Sequence, residues 1–132
     1  MNTLHHVTYV VRDLAAGVRQ LEQLAGAAAV IHETLPGRGV RSVRARVGGV
    51  WLVFVEPVGP GAPADYLGKH GEGPFIVSWA VTSLEAAVRD FRERGIDVAG
   101  PARVGLAGWR IQDLVMSLPG GATVQLCESG ES

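Results

Sequence analysis

Two stretches of this chain occur twice. Residues 6–25, HVTYVVRDLAAGVRQLEQLA, align without a gap on residues 76–95, IVSWAVTSLEAAVRDFRERG. Val7, Val11, Leu14, Ala16, Val18 and Arg19 meet the same residue types at Val77, Val81, Leu84, Ala86, Val88 and Arg89. Further on, GGVWLVFVE at 48–56 aligns on GGATVQLCE at 120–128. Two collinear matches at nearly one offset imply a duplicated module of about seventy residues, too long for a solenoid unit and right for half a domain.

Each half carries the same order of signals. Residues 4–11 are an apolar, β-branched strand. Asp13 is suited to cap a helix whose apolar stripe is Leu14, Val18 and Leu21, ending at Gly26. Residues 75–81, the cap Ser83, the stripe Leu84, Val88 and Phe91, and the stop Gly95 repeat the pattern. Three strands follow each helix, near 28–33, 40–47 and 50–56, then near 97–103, 110–117 and 122–128. Pro36-Gly37, Gly48-Gly49 and Pro119-Gly120-Gly121 are the turn signals. The expected fold is therefore α+β, with two tandem βαβββ modules forming a cup-shaped half-barrel and helices on its outer face. One domain spans 1–132, with module 1 at about 1–57, a Pro/Gly-rich connector at 58–74 and module 2 at about 75–129. The connector has room for a short helical turn near Asp65–Lys69.

Composition excludes several function classes. With 12 basic and 13 acidic residues the net charge is −1, which lacks the basic surplus a general nucleic-acid binder needs. No apolar run approaches a membrane span, and the opening segment, polar again by Arg12 and Asp13, shows no signal peptide, so a cytoplasmic location is expected. Cys127 alone can form neither an internal disulfide nor a cysteine cluster, and reads as a small buried hydrophobe.

Strand parity selects the side chains on the helix-free face. A two-residue turn at Gly48-Gly49 sets Arg46 opposite Trp51, Arg44 opposite Val53 and Ser42 opposite Val55. These six share the cup face, while Val43, Ala45, Leu52 and Phe54 pack under the helix. By the repeat, Thr123, Gln125 and Cys127 face the cup, with Met116 opposite Gln125 and Arg110 and Gln112 in the same parity. A one-residue slip at the Pro-Gly-Gly turn would reverse that set. His6 and Thr8, with their repeat partners Ile76 and Ser78, face the cup as well. His6 reads either as a hydrogen-bonded structural histidine or as a cup-face acid or base. Arg44 and Arg46 read either as a solvated sheet face or as a site. His5 is expected to be exposed, and His32 and His70 lie near loops. Trp79 is expected in the core; Trp51 and Trp109 are open between core and site.

These residues resemble the vicinal oxygen chelate superfamily, which includes glyoxalase I, extradiol dioxygenases, bleomycin-resistance proteins and methylmalonyl-CoA epimerase. LHHVTYVVRDL resembles the epimerases' opening strand and helix start, GVRSVRARVGGVWLVFVEPVG their third and fourth strands, and YLGKHGEGPFIVSWAV their approach to the second module. The resemblance covers most of the chain. It implies four metal-ligand positions, which fall on His6, Val53, Ile76 and Gln125, where the family has His, Glu or Gln, His and Glu. Two of these are aliphatic here and offer no donor, so no metal cofactor is expected. The resemblance also implies a homodimer and a small-molecule ligand; acyl-CoA rests on it alone.

Three functions follow from these residues. The first is a metal-independent isomerase, lyase or cyclase on an anionic carbonyl or acyl substrate. In it His6 and Arg44 are catalytic, Arg44 holding an oxyanion through its planar donor fork. Thr8, Ser42, Arg46, Trp51, Val53, Ile76, Ser78, Arg110, Met116, Gln125 and Cys127 line the substrate site. The second is a metal-free binding protein of the antibiotic-sequestering type, with Trp51 and Trp109 as stacking candidates. The third is a divalent-metal enzyme with unusual ligands such as His5, His6, Gln125 and Glu56, against which the opposite facing of His5 and His6 on one strand argues.

Overall fold

The computed structural model describes residues 3–35 and 38–130, so the Pro36-Gly37 turn signal lies outside the described residues. The chain divides into two compact units, His6–Phe75 and, with the chain up to His5, the segment from Ile76 onward. The units repeat one plan. In the first, strand β1 (Thr3–Val10) leads to helix α1 (Leu14–Ala25) and strands β2 (Ile31–Leu35), β3 (Val40–Val47) and β4 (Val50–Pro57), in sheet order β2-β3-β4-β1. In the second, β5 (Gly73–Ala80) leads to α3 (Leu84–Glu93) and then β6 (Arg103–Val104), β7 (Arg110–Ser117) and β8 (Thr123–Glu128), in order β6-β7-β8-β5. The first strand pairs parallel to the fourth in both cases, and the remaining pairs are antiparallel.

The helices form where the sequence places them because each start is capped twice. Asp13 Oδ1 accepts from Ala15 N–H at 3.0 Å, and Glu56 Oε2 accepts from Leu14 N–H at 2.9 Å. In the second unit Ser83 Oγ accepts from Ala86 N–H at 3.2 Å, and Glu128 Oε1 from Leu84 N–H at 2.9 Å. These bonds satisfy donors that a helix start otherwise leaves orphaned. α1 packs Leu21 on Val43, Ala45 and Phe54, and α3 packs Leu84 and Ala87 on Leu114, Val124 and Leu126. Each fully buried leucine or valine of these clusters contributes about 1.5–3 kcal/mol. The expectation that Trp79 packs in the core holds, since it borders the second cluster.

Four expectations need correction. Residues 27–29 form a 3-10 turn rather than strand, so β2 starts at Ile31. The segment 97–103 is mostly irregular, with one bridge, Val98 to Leu114, before the two-residue β6; Gly100, at φ 75°, and Pro101, which lacks an N–H, interrupt it. The connector holds a full helix, α2 (Ala62–His70), which starts after Gly61 with Pro63 in its first turn and ends at Gly71. His5 is not exposed: it is buried, with its ring 4.6 Å edge-on to Trp109. No helix among the described residues is long and apolar enough to cross a membrane.

Candidate functional site

In the first unit, the cross-strand rows place the functional candidates on one face. His6 lies beside Trp51 and Arg46, Thr8 beside Val53 and Arg44, and Val10 beside Val55 and Ser42. All three pairings expected from Gly48-Gly49 are present, because the hairpin is the two-residue kind that fixes register. The opposite parity, Tyr9, Leu52, Phe54, Val43 and Ala45, packs on α1, so the candidates occupy the helix-free face. There His6 is 4% exposed, Thr8 6%, Ser42 2% and Arg44 7%. Four buried polar side chains on one sheet face are unusual, since burial without compensation is costly. Ser42 Oγ donates to the Glu33 carbonyl at 2.6 Å. Arg44 Nη1 donates to Glu33 Oε1 at 2.6 Å, and the guanidinium also lies 5.5 Å from the Trp51 ring centre. Arg46 is exposed and stacks on the same ring at 5.4 Å.

In the second unit, Ile76, Ser78, Thr123, Gln125 and Cys127 share the helix-free face, as expected. Cys127 is fully buried. Met116 and Arg110 do not join them. β7 carries an irregularity between Asp113 and Ser117, which brings Asp113 rather than Met116 opposite Gln125 and Ile111 opposite Cys127. Met116 is exposed. Arg110 and Gln112 take the helix-side parity, opposite Glu128 and Leu126. Arg110 donates to Glu128 at 2.7 Å and to Glu85 at 3.3 Å; bonds to these carboxylates, Glu85 first, raise its pKa further. The expected substrate contacts from Arg110 and Met116 are therefore withdrawn. Trp109 is buried against His5, away from the role of stacking ring, and Trp51 carries the Arg44 and Arg46 guanidiniums.

Sequence reasoning missed Glu33, Asp113 and Arg103. Asp113 Oδ1 accepts from Gln125 Nε2 at 2.9 Å, and its Oδ2 from Arg103 Nη1 at 2.8 Å. The registers show that these residues are repeat partners of the first unit's set. Glu33 pairs with Ser42 as Arg103 pairs with Ile111, and Arg44 faces Val53 as Asp113 faces Gln125. One unit has Glu33–Arg44 and the other Arg103–Asp113, the same ion pair with its charges exchanged. Only a correct β7 register would have revealed this. Glu56, offered as a metal ligand in the third reading, is engaged elsewhere. It caps α1 and pairs with Arg41, and the Leu14 N–H, followed by Arg41, holds its carboxyl below the ordinary range.

The metal-ligand positions implied by the resemblance divide evenly between the units. One unit supplies His6 and Val53, the other Ile76 and Gln125. Val53 and Ile76 are buried aliphatic side chains with no donor atom, which leaves the His6 imidazole and the Gln125 amide oxygen as the donors among the four. A divalent ion takes several N, O or S donors, so these residues do not fit one.

Two βαβββ units of identical strand order, each with an apolar helix-bearing face and a polar helix-free face, define a paired-module α+β protein. The family model of the glyoxalase/bleomycin resistance protein/dioxygenase superfamily matches residues 5–112, and the chain belongs to that superfamily. Among solved structures it is similar to methylmalonyl-CoA epimerase from Mycobacterium tuberculosis, at TM-score 0.80 and 25% identity, covering 97% of this chain and 88% of that one. It is similar at TM-score 0.83 and 25% identity to a methylmalonyl-CoA epimerase in complex with methylmalonyl-CoA and NH4+, covering 98% and 96%. A Streptomyces coelicolor methylmalonyl-CoA epimerase variant in complex with 2-nitronate-propionyl-CoA gives TM-score 0.82 and 25% identity, covering 97% and 94%. Comparison with curated protein sequences gives no significant match.

Proposed function

We propose that this chain is a metal-independent enzyme that moves a proton next to the carbonyl of a small anionic acyl or oxo compound, the step shared by isomerases, lyases and cyclases of such substrates. The observation that supports the reading best is the burial of His6, Thr8, Ser42 and Arg44 together on one helix-free face. His6 takes the proton from the carbon beside the carbonyl, the C–H electron pair forms the carbon–carbon double bond of an enolate as the carbonyl π pair moves onto oxygen, and the reverse flow with the proton from His6 completes the isomerisation. Arg44 holds the developing oxyanion, with Glu33 fixing the guanidinium in place. Thr8 and Ser42 orient the substrate, and Trp51 supplies an apolar wall. The epimerase neighbours, two of them with acyl-CoA ligands, support acyl thioesters as the first substrates to try.

The test is deuterium incorporation. The protein, dialysed against EDTA, is incubated in D2O with methylmalonyl-CoA and, separately, with pyruvate and 2-oxobutyrate, and label is read by mass spectrometry. Label enters at least one compound, and His6→Ala slows it by about 10²–10⁴-fold. Absence of label from all three compounds would sink the reading. So would label entry that is indifferent to His6.

A second reading, a sequestering protein, has one observation in its favour. Trp51 is half-buried on the same face with two guanidiniums stacked on it, an arrangement suited to flat anionic ligands. A stoichiometric complex whose ligand is recovered unchanged supports that reading over the enzyme.

A further inference from the structure

The helix-free face of the second unit carries two buried polar atoms that the fold does not satisfy. Ser78 is 0% exposed and Gln125 1%, and they are direct neighbours across the β5–β8 ladder. The amide of Gln125 is oriented by the chain itself. Asp113 Oδ1 accepts from Nε2, and Arg103 holds the other carboxylate oxygen. An ionised carboxylate accepts only, so the amide cannot flip, and Oε1 is the end it presents. Neither Gln125 Oε1 nor Ser78 Oγ has a hydrogen-bond partner among the described residues. Native proteins leave few buried polar groups in this state. The βαβββ plan does not demand the Gln125 amide: the repeat places Val53 at that position.

We infer that Ser78 and Gln125 form a subsite on the helix-free face of the second unit that reads a hydroxyl O–H on a small ligand. The ligand O–H donates to Gln125 Oε1, and the Ser78 hydroxyl donates to the ligand oxygen. Because Oε1 can only accept, a ligand oxygen without a proton meets it lone pair to lone pair and is rejected. The Arg103–Asp113 pair is a positioning device that keeps Oε1 forward. The inference goes beyond the proposed function and rests on it only in taking a small carbonyl compound as the ligand.

Matched probes test it on the full chain. Hydroxyacetone and methoxyacetone share a carbonyl and differ in the O–H. Each is titrated into ¹⁵N-labelled protein, with the Ser78 and Gln125 amide signals and the Gln125 side-chain NH2 as reporters. Hydroxyacetone binds about tenfold more tightly, equivalent to about 1.4 kcal/mol. The preference disappears in Ser78→Ala and in Gln125→Met. The melting temperature of Ser78→Ala is no lower than that of the parent chain, because its hydroxyl satisfies no protein group. Equal binding of the two probes, a preference that survives both substitutions, or a clear loss of stability in Ser78→Ala would each overturn the subsite. A probe preference without deuterium exchange contradicts the proposed function alone, and His6-dependent exchange without a preference contradicts the subsite alone.

Discussion

Glu56 and Glu128 close the fourth strand of each module onto the helix that follows the first. Each carboxylate receives the first N–H of its helix, Leu14 or Leu84, and an arginine from the neighbouring strand, Arg41 or Arg110. Because Glu56 is held below the ordinary carboxylate range in the folded chain, it contributes stability above its unfolded pKa, and that contribution is lost as pH falls through the lower folded value. Glu56→Ala should cost about 1 kcal/mol at pH 7, the usual price of a lost cap. Thermal melts at pH 7 and below pH 4 check this, and the difference between parent and variant should shrink in acid. Arg44 behaves differently, since its partner Glu33 is about one-third exposed. Arg44→Met should cost about 2 kcal/mol by leaving the Glu33 carboxylate without its cation. Glu33→Gln added to it should recover part of the stability and none of the exchange activity, measured as melting temperature and label entry on the same samples. The pairing of Arg44 with Val53 was legible because Gly48-Gly49 is a two-residue turn. The pairing of Gln125 with Asp113 was not, because the β7 irregularity leaves no mark in residue spacing.

At the scale of elements, the repeat explains a glycine inside a helix. Gly17 of α1 corresponds to Ala87 of α3, and Phe54 of β4 to Leu126 of β8. A Cβ on Gly17 would lie 2.5 Å from Phe54 Cδ2, closer than any real contact allows. The larger ring beneath α1 thus requires the smaller residue above it, at the expense of helix propensity. Gly17→Ala should destabilise the chain by about 1–3 kcal/mol through overpacking. Gly17→Ala with Phe54→Leu, which copies the second module, should recover most of that loss; denaturant melts of the parent, the single and the double variants test it. Helix bounds were legible from caps and stripes, and β3, β4 and β7 from alternation and turns. β2 and β6 were not, because short edge strands carry few residues and little periodicity, and the α2 helix was hidden by the Pro and Gly that bracket it.

For the whole molecule, the duplication both builds the fold and shows where the modules diverge. Helix caps, strand order and the parallel pairing of first and fourth strands are kept in both. The helix-free faces have diverged: Val53 against Gln125, Glu33–Arg44 against Arg103–Asp113. The family was legible in sequence because the repeat and its motifs span most of the chain. The substrate was not, because strand parity assigns side chains to a face without assigning them a ligand. The proposed chemistry rests on protein donors at positions where the resemblance implies an ion. Elemental analysis after incubation with Co2+, Ni2+, Mn2+ or Zn2+ and desalting, with His6→Ala alongside, tests that claim most directly. The account predicts metal well below one equivalent per chain and no difference between the two proteins. Near-stoichiometric metal that His6→Ala removes would contradict it.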